Sequence, residues 1–132
     1  MPFTYKYIPA NESVLIVATG ILEVQEIVER MLAMRLDANI PAGVNGIADL
    51  TGVERVVTSP GLSKVFDVMD ESLEDGGYSY VALVVENPIF KEMADTVALR
   101  SQKLQAPVIF YVFSNIEDAE AWLETTPRRS GA

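Results

Sequence analysis

Strand-like and helix-like hydrophobic patterns alternate along this 132-residue chain. Short apolar runs, such as 14–18 and 107–113, each precede a longer segment whose apolar residues recur every three or four positions. Such alternation, with short connections, is typical of a mostly parallel sheet whose strands are joined by right-handed helical crossovers. The sequence therefore predicts an α/β fold in a single domain, since its length leaves little room for a second one.

The first half of the chain predicts three strands and one helix. Aromatic and polar residues alternate over 3–8, as in a half-buried strand, and the β-branched run 14–18 is expected to pair with it as an antiparallel hairpin. Helical spacing of apolar residues begins at Ile21 and is expected to end near 37–39, ahead of a proline. A further strand is expected over 44–50.

The second half begins with two helix starts of the same type, Ser59-Pro60 and Asn87-Pro88. Each combines a side chain that can cap a helix with a proline suited to the first helical position. They predict a helix from Ser59 to Gly76-Gly77 and another over 87–104, with a strand over 78–85 between them. Both helices are expected to be amphipathic, with one apolar face against the sheet.

The C-terminal part predicts one more strand and one more helix. The apolar run 107–113 is followed by Ser114-Asn115-Ile116-Glu117, in which Ser114 would cap a fourth helix and Glu117 would complete a capping box. Residues 127–132 show no apolar period and are expected to form a flexible tail. We therefore expect one domain over 1–126, with a mixed sheet of about five strands, an antiparallel N-terminal edge strand and about four helices.

The chain contains neither cysteine nor histidine, which narrows the chemistry it can perform. Disulfides, thiolate nucleophiles, cysteine zinc sites and iron–sulfur clusters all need cysteine. A Ser-His-Asp triad and the common histidine-ligated metal sites need an imidazole. Carboxylate oxygens could still hold Mg²⁺ or Ca²⁺, but no calcium-binding loop motif occurs. We therefore expect no catalytic residues, metal or cofactor; the alternative is an enzyme that uses polar residues at the strand ends.

The net charge argues against two classes of partner. The 19 acidic and 10 basic residues give a formal charge of −9, which repels the phosphates of nucleic acids and anionic lipid headgroups. No apolar run approaches the roughly 20 residues that span a bilayer, and the N-terminus has no signal-peptide pattern. We expect a cytoplasmic protein that binds no nucleic acid and inserts into no membrane.

Polar residues follow several of the predicted strands. In an open α/β sheet, ligands tend to bind beyond the carboxyl ends of the strands, next to helix N-termini. A capping role alone accounts for Asn87 and Ser114, because a cap needs no ligand. No glycine-rich phosphate-binding motif accompanies them. The candidates at this edge are Thr19, Asp49, Thr51, Asn87 and Ser114.

Acidic residues concentrate on the polar side of the helix predicted to begin at Ser59. Such charge runs are usually solvated surface, and general acid/base work is the less favoured interpretation for them. The same face could steer a basic protein partner toward this helix. Its members are Asp67, Asp70, Glu71 and Glu74.

Two neighbouring segments carry a resemblance to a known family. The segment Asp49-Leu50-Thr51-Gly52-Val53, followed by Thr58-Ser59-Pro60-Gly61-Leu62, resembles the STAS domain, the SpoIIAA-like fold of anti-sigma factor antagonists. In that family, a strand that ends in Asp-Leu-Ser-Gly-Val leads to Asp-Ser-Ser-Gly-Leu, whose first serine is phosphorylated. Residues 112–123 are also similar to the ending of small stand-alone bacterial proteins of STAS/SEC14 type.

The resemblance implies a SpoIIAA-like β-α superhelix and a non-enzymatic regulatory or protein-interaction domain. Its contact loop would contain Thr58, Ser59 and Gly61, and alignment on Gly61 makes Ser59 the phosphorylated residue, with Thr58 as the alternative. The loop departs from the family pattern, because Thr58 or Val57 replaces its aspartate and Pro60 replaces its second small hydroxyl residue. The implied phospho-switch is therefore a vestigial or altered one.

Two further interpretations stay open. The STAS/SEC14 likeness implies, as an alternative function, a small apolar-ligand or lipid-binding module whose cavity flexible methionines would line. Core packing is the plainer explanation for methionine at helical spacing. A homodimer is also expected, because Phe3, Tyr5 and Tyr7 would place aromatic area along a free edge strand. The methionines in question are Met31, Met34, Met69 and Met93.

Overall fold

The structure is a computed structural model that describes residues 3–57 and 78–127. Its elements alternate in the order that the sequence predicts. The helix predicted to begin at Ser59 lies outside the described residues, as does most of the predicted tail. The elements are β1 (Phe3–Ile8), β2 (Ser13–Glu23), α1 (Val24–Leu36), β3 (Asn45–Val57), β4 (Ser79–Val84), α2 (Pro88–Leu104), β5 (Val108–Phe113) and α3 (Ile116–Thr125).

The five strands within the described ranges form one sheet in the order β1-β2-β3-β4-β5. β1 is antiparallel to β2, and the pairs β2–β3, β3–β4 and β4–β5 are parallel. Because sequence order and sheet order agree, each connection between parallel strands moves the chain one strand along the sheet. The predicted α/β fold, with its antiparallel N-terminal edge strand, is confirmed.

Alternate residues of the central strands face two separate hydrophobic clusters. On one face, Val81 and Leu83 pack with Ile16, and α1 and α2 cover this cluster through Ile27 and Ala94. The parallel strands thus bury side chains on both faces, which explains why their sequences are nearly continuous apolar runs. The buried members of the smaller cluster, on the face that α3 covers, are Ile47, Ala82, Val84 and Ala119.

β2 and β3 are longer than the sequence pattern predicts. The predicted strand ends at Ala18 and the predicted helix begins at Ile21, whereas β2 continues to Glu23 before α1 begins. β3, expected over 44–50, extends to Val57. The remaining strands and α2 match their predicted ranges to within a residue or so.

Burial explains why the two strands continue. Beyond the last residue that pairs with β4, they remain paired through residues 19–23 of β2 and 52–57 of β3. We call this pair of segments the β2–β3 extension. It places Leu22, which is 2% exposed, and Val53, which is 3% exposed, in the larger hydrophobic cluster. Tertiary packing therefore overrides the helical spacing that the sequence shows from Ile21 onward.

Two of the predicted helix caps lie within the described residues, and only one of them is confirmed. At α2 the predicted cap is confirmed, because the Asn87 side chain accepts hydrogen bonds from the amides of Ile89 and Phe90. At α3 the predicted cap is wrong by one residue, since Asn115 and not Ser114 caps the helix. Asn115 accepts from the Asp118 amide at 2.8 Å and donates to the Asp118 carboxylate at 3.0 Å. The pair lies one position along the chain from the predicted capping box and differs from it, because the return bond comes from the Asn115 side chain and not from its backbone amide.

A buried asparagine ties three parts of the chain together. Asn45, which is 4% exposed, stands at the start of β3. Its Oδ1 accepts from the amide of Tyr80 in β4 at 3.0 Å. Its Nδ2 donates to the carbonyls of Thr126 and Pro127, at 3.3 and 3.4 Å, where the chain leaves α3. These bonds hold the end of α3 against the amino edge of the sheet.

Replacement of this asparagine is expected to destabilise the fold. Asn45→Ala removes all three bonds from a buried position, and we expect the free energy of unfolding to fall by about 2 kcal/mol in urea denaturation. The control is Asn39→Ala at an exposed position, expected to change stability by less than about 0.5 kcal/mol. Similar losses for the two variants would contradict the role given to Asn45.

The outer edge of β5 is blocked by side chains of α2. The amides of Ser79 and Val85 bond to the carbonyls of Pro107 and Phe113, so these carbonyls face β4. By the alternation of a parallel strand, Phe110 directs its amide and its carbonyl away from β4. The Phe110 amide donates to Ser101 Oγ at 2.9 Å, and its carbonyl accepts from Gln102 Nε2 at 2.8 Å. The helix thus satisfies backbone groups that another strand could otherwise pair with.

We expect Ser101→Ala to expose this edge. Ser101 is 2% exposed, so its loss leaves the Phe110 amide buried without its acceptor and lowers the free energy of unfolding by about 1–3 kcal/mol. Hydrogen exchange of the Phe110 amide should accelerate in the same variant. Thr96→Ala, on the exposed side of the same helix, is the matched control and should leave both quantities nearly unchanged. Unaltered exchange at Phe110 in Ser101→Ala would contradict the assignment.

Candidate functional site at the carboxyl edge of the sheet

Two bulges interrupt β3 at the carboxyl edge of the sheet. While β2 advances from Val17 to Thr19, β3 advances from Asp49 to Gly52, which adds one residue to β3. A second extra residue, Glu54, lies between the partners of Gly20 and Ile21. Bulges bend a strand and redirect its side chains, and they are common beside functional sites.

The first bulge is held by a short-range turn. The Asp49 carboxylate accepts from the Thr51 amide at 3.1 Å and from the Thr51 hydroxyl at 2.7 Å, both at Oδ1. An aspartate that bonds to the backbone two residues further on stabilises a turn without help from any ligand. The two predicted site residues therefore contact each other, and their shared role in this structure is to fix the backbone.

Glycine allows the strands to approach closely at this bulge. A Cβ on Gly52 would lie 2.8 Å from the Cγ2 of Thr19, which is too close for two carbon atoms. Gly20 has a φ of +71°, a left-handed value that residues with a side chain rarely adopt. The predicted site residue Thr19 thus lies directly over the bulge, against the backbone of β3.

The second bulge is joined to the start of α2. Asn87 Nδ2 donates to the carbonyl of Glu54 at 3.4 Å, while Asn87 Oδ1 accepts from the Ile89 amide at 2.9 Å and the Phe90 amide at 3.3 Å. A single amide side chain therefore caps one helix and holds the neighbouring strand. This contact explains why asparagine is more useful here than another capping residue.

The structure brings four of the five predicted strand-end residues to one region. Thr19, Asp49 and Thr51 surround the first bulge, and Asn87 reaches the second. Ser114 is exposed at the end of β5. It was expected to cap α3, but the next residue, Asn115, is the cap. The remaining candidates lie outside the described residues; they are Thr58, Ser59 and Gly61 of the predicted contact loop and Asp67, Asp70, Glu71 and Glu74 of the acidic face.

Sequence reasoning missed the bulges and the backbone contact at Glu54. One signal was available, because a glycine inside a strand often marks a bulge or a close backbone approach, and Gly52 meets both conditions. The carbonyl of Glu54 carries no signal of its own, since any residue could supply it. The side chain of Glu54 is exposed.

The chemistry of this edge is that of a backbone scaffold. The polar side chains of Asp49 and Asn87 bond to nearby backbone and hydroxyl groups. Across 3–57 and 78–127, no group of three or more acidic side chains is placed to hold a metal ion. Within those same ranges, no helix is long and apolar enough to cross a membrane.

The methionines of α1 and α2 are partly buried. Met34 packs against the larger hydrophobic cluster, and Met31 and Met93 are likewise intermediate in exposure. The fourth, Met69, lies outside the described residues. At Met34, the packing interpretation is thus the one that the contacts favour.

Two substitutions separate the roles of Asn87. Asn87→Ala removes the cap and is expected to lower the free energy of unfolding by about 1–2 kcal/mol. Asn87→Asp keeps the accepting oxygen and adds a negative charge at a helix N-terminus, so we expect a loss below about 0.5 kcal/mol. Both variants remove the donor to Glu54, and hydrogen exchange over 53–57 should accelerate in both. Equal losses of stability in the two variants would contradict the capping role, and unchanged exchange would contradict the contact with β3.

No protein-family model and no curated protein sequence matches the chain. Several solved structures are similar to the chain, two of them over most of its length. An uncharacterised protein of the DUF3478 family with a SpoIIAA-like fold, from Shewanella loihica PV-4, aligns with a TM-score of 0.58 at 14% identity, covering 92% of this chain and 91% of that one. The anti-sigma factor antagonist SpoIIAA, in its unphosphorylated form, aligns with a TM-score of 0.52 at 14% identity, covering 90% of this chain and 94% of that one. The chain therefore has a SpoIIAA-like fold, as the resemblance in its sequence implies.

Proposed function

We propose that this protein is a non-enzymatic regulatory domain of STAS type that acts in the cytoplasm by binding a partner protein. In this proposal, the segment of Thr58, Ser59 and Gly61 is the contact loop, and phosphorylation of Ser59, or alternatively Thr58, controls the contact. The observation that carries the proposal is the form of β3, which contains two bulges fixed by hydrogen bonds and ends at Val57, the residue before this segment.

The geometry of β3 supports a contact loop that begins at a rigidly held strand end. The β2–β3 extension continues beyond the last pair with β4, and Glu23 and Val57 are its final partners. Thr58 follows Val57 in the sequence. The bonds of Asp49 and Asn87 fix the backbone that precedes it. A rigid scaffold that presents a loop is the usual arrangement for recognition of another molecule.

Electrostatics support control by a phosphate. The side chains of Glu23, Glu54 and Glu86 are exposed near the carboxyl ends of β2, β3 and β4. A phosphate carries about −1.5 to −2 charges at neutral pH, so on Ser59 or Thr58 it would add strong repulsion to an already acidic region. Phosphorylation would then change both the loop and its attraction for a charged partner.

One structural neighbour supports a binding function over catalysis. It is an anti-sigma factor antagonist described in its unphosphorylated form. In the present chain, Asp67, Asp70, Glu71 and Glu74 would add to the attraction for a basic partner. A shared fold does not transfer a function by itself, so the proposal rests on the form of β3 and on the residues that follow it in the sequence.

The test compares two variants of the proposed switch as baits for partner proteins. Ser59→Ala cannot be phosphorylated, and Ser59→Asp imitates the added charge. We expect one of them to retain a partner that the other loses, and the dissociation constant for that purified partner to change by about tenfold or more, which corresponds to about 1.4 kcal/mol.

The control uses another hydroxyl at the same edge of the sheet. Ser114 is exposed after β5, and Ser114→Asp should bind like the unmodified protein. If Ser59→Ala and Ser59→Asp bind the same partners with the same affinity, the proposed switch at Ser59 is wrong. If no partner is retained by any of the baits, the proposed binding function is contradicted as well.

A further inference from the structure

The two outer edges of the sheet differ in how they are protected. Ser101 and Gln102 occupy the outward backbone groups of Phe110 in β5. β1 forms the opposite edge and pairs with β2 on one side only. Among residues 3–57 and 78–127, no hydrogen bond reaches the outer backbone groups of β1. Proteins usually protect an edge strand, and an open one is a ready template for another strand.

β1 is suited to pairing along its whole length. Its six residues pair with β2 from Phe3 to Ile8 without a register shift, so the strand contains no bulge that would turn it away from a partner. Phe3 is 6% exposed and lies in the larger hydrophobic cluster, so the expectation that it presents aromatic area is wrong. Phe3 is therefore not part of an exposed contact surface, whereas Tyr5 and Tyr7 are only partly buried and the outer backbone of β1 is available for pairing.

We propose that β1 joins two copies of this chain, by antiparallel pairing of β1 with the β1 of a second copy about a two-fold axis. The axis stands perpendicular to the sheet, so the two five-stranded sheets become one continuous sheet with α1 of both copies on the same face. In an interface of this kind the same surface of both copies is in contact, so its residues must be compatible with the same set of residues in the second copy. The exposed side chains of β1 meet this requirement in one particular register.

Two registers pair five of the six residues of β1 with the second copy, one centred on Tyr5 and the other on Lys6, and the single charge of β1 distinguishes them. Thr4 and Lys6 are exposed on the face opposite Tyr5. If Lys6 lay opposite its own copy, two ammonium groups would face each other, which destabilises a cross-strand pair. If Tyr5 lies on the axis, Thr4 of each copy is opposite Lys6 of the other. The structure thus favours pairing centred on Tyr5.

On the face of Tyr5, which α1 covers, an exposed leucine would give the second copy an apolar contact. The Tyr5 hydroxyl donates to Asp37 Oδ2 at 3.2 Å, which brings the end of α1 over β1. Partial burial and this bond raise the pKa of Tyr5, so the phenol keeps its proton to higher pH than an ordinary tyrosine does. Leu36, the residue before Asp37, is 76% exposed. With Tyr5 on the axis, the ends of both α1 helices lie near it, and association would remove Leu36 from water.

Substitutions at Thr4 give a test in which register and overall charge predict opposite results. Each copy carries a formal charge of −9, so repulsion between copies alone would make Thr4→Lys strengthen the dimer and Thr4→Glu weaken it. Pairing centred on Tyr5 predicts the reverse, because residue 4 of each copy lies opposite Lys6 of the other copy. The dimer therefore contains two such pairs. We expect the dissociation constant, measured by sedimentation equilibrium, to rise about fivefold in Thr4→Lys and to fall about fivefold in Thr4→Glu.

Matched charge changes away from β1 serve as the control. Thr96 is exposed on α2, and Thr96→Lys and Thr96→Glu should follow the overall charge. Unfolding curves establish that all four variants fold. The proposal is overturned if the unmodified protein stays monomeric at the highest soluble concentration, or if the Thr4 variants follow the overall charge as the Thr96 variants do.

Cross-linking tests the register directly, because the chain has no cysteine of its own. Opposed residues in antiparallel strands have Cα atoms about 4.5–5.5 Å apart, which suits a disulfide. When Thr4→Cys and Lys6→Cys proteins are mixed and oxidised, we expect the mixed disulfide to form in preference to either homodimer. When the Glu92→Cys protein, with its cysteine on α2, replaces either protein in the mixture, the yield of mixed disulfide should fall to background. A mixed disulfide no more abundant than this background would overturn the proposed pairing.

Discussion

The parallel pairing of β2 with β3 is the interaction on which the rest of the structure depends. It runs from Ser13 opposite Asn45 to Glu23 opposite Val57, further than any other pair in the described sheet. Its buried residues contribute to the hydrophobic clusters on both faces. Both ends of the pair also carry the polar contacts that position other elements. Asn45 holds β4 and the end of α3 at one end, and the bulges of β3 hold the start of α2 near the other.

This arrangement separates the functions of the two ends of the sheet. At the amino edge, a buried amide makes three bonds that serve packing alone. At the carboxyl edge, Asp49 and Asn87 make bonds to backbone that shape a surface where side chains are exposed. Polar residues at a predicted site therefore need not touch a ligand, because they can act by fixing the backbone from which a contact loop starts. Catalysis would require reactive groups aimed at a shared point, and a binding surface requires only that its shape is held.

Much of the fold could be predicted because local signals agreed with the tertiary structure. The cap and proline at Asn87-Pro88 and the apolar run that became β5 each led to the observed element. The start of α1 could not be predicted, because helical spacing of apolar residues begins at Ile21, while the burial of Leu22 depends on pairing with β3. The cap of α3 shifted by one residue because serine and asparagine can both cap, and only the bond with Asp118 distinguishes them.

The candidate site was predictable in its location and less so in its geometry. Strand ends at one edge of a parallel sheet meet by topology, which placed Thr19, Asp49, Thr51 and Asn87 together. The bulges depend on how two distant segments pair, and composition does not encode that pairing. The contact loop of Thr58 and Ser59 lies outside the described residues, so its role stays a prediction.

The central claim is that a phosphorylated hydroxyl directly after β3 controls binding, and phosphosite mapping of the protein purified from its native cells tests it most directly. The intact mass shows whether a phosphate is present, and peptide fragmentation assigns it to a residue. We expect phosphate on Ser59, or on Thr58, in a fraction of molecules that changes with growth conditions. Protein that carries no phosphate on either residue under any condition would contradict the account.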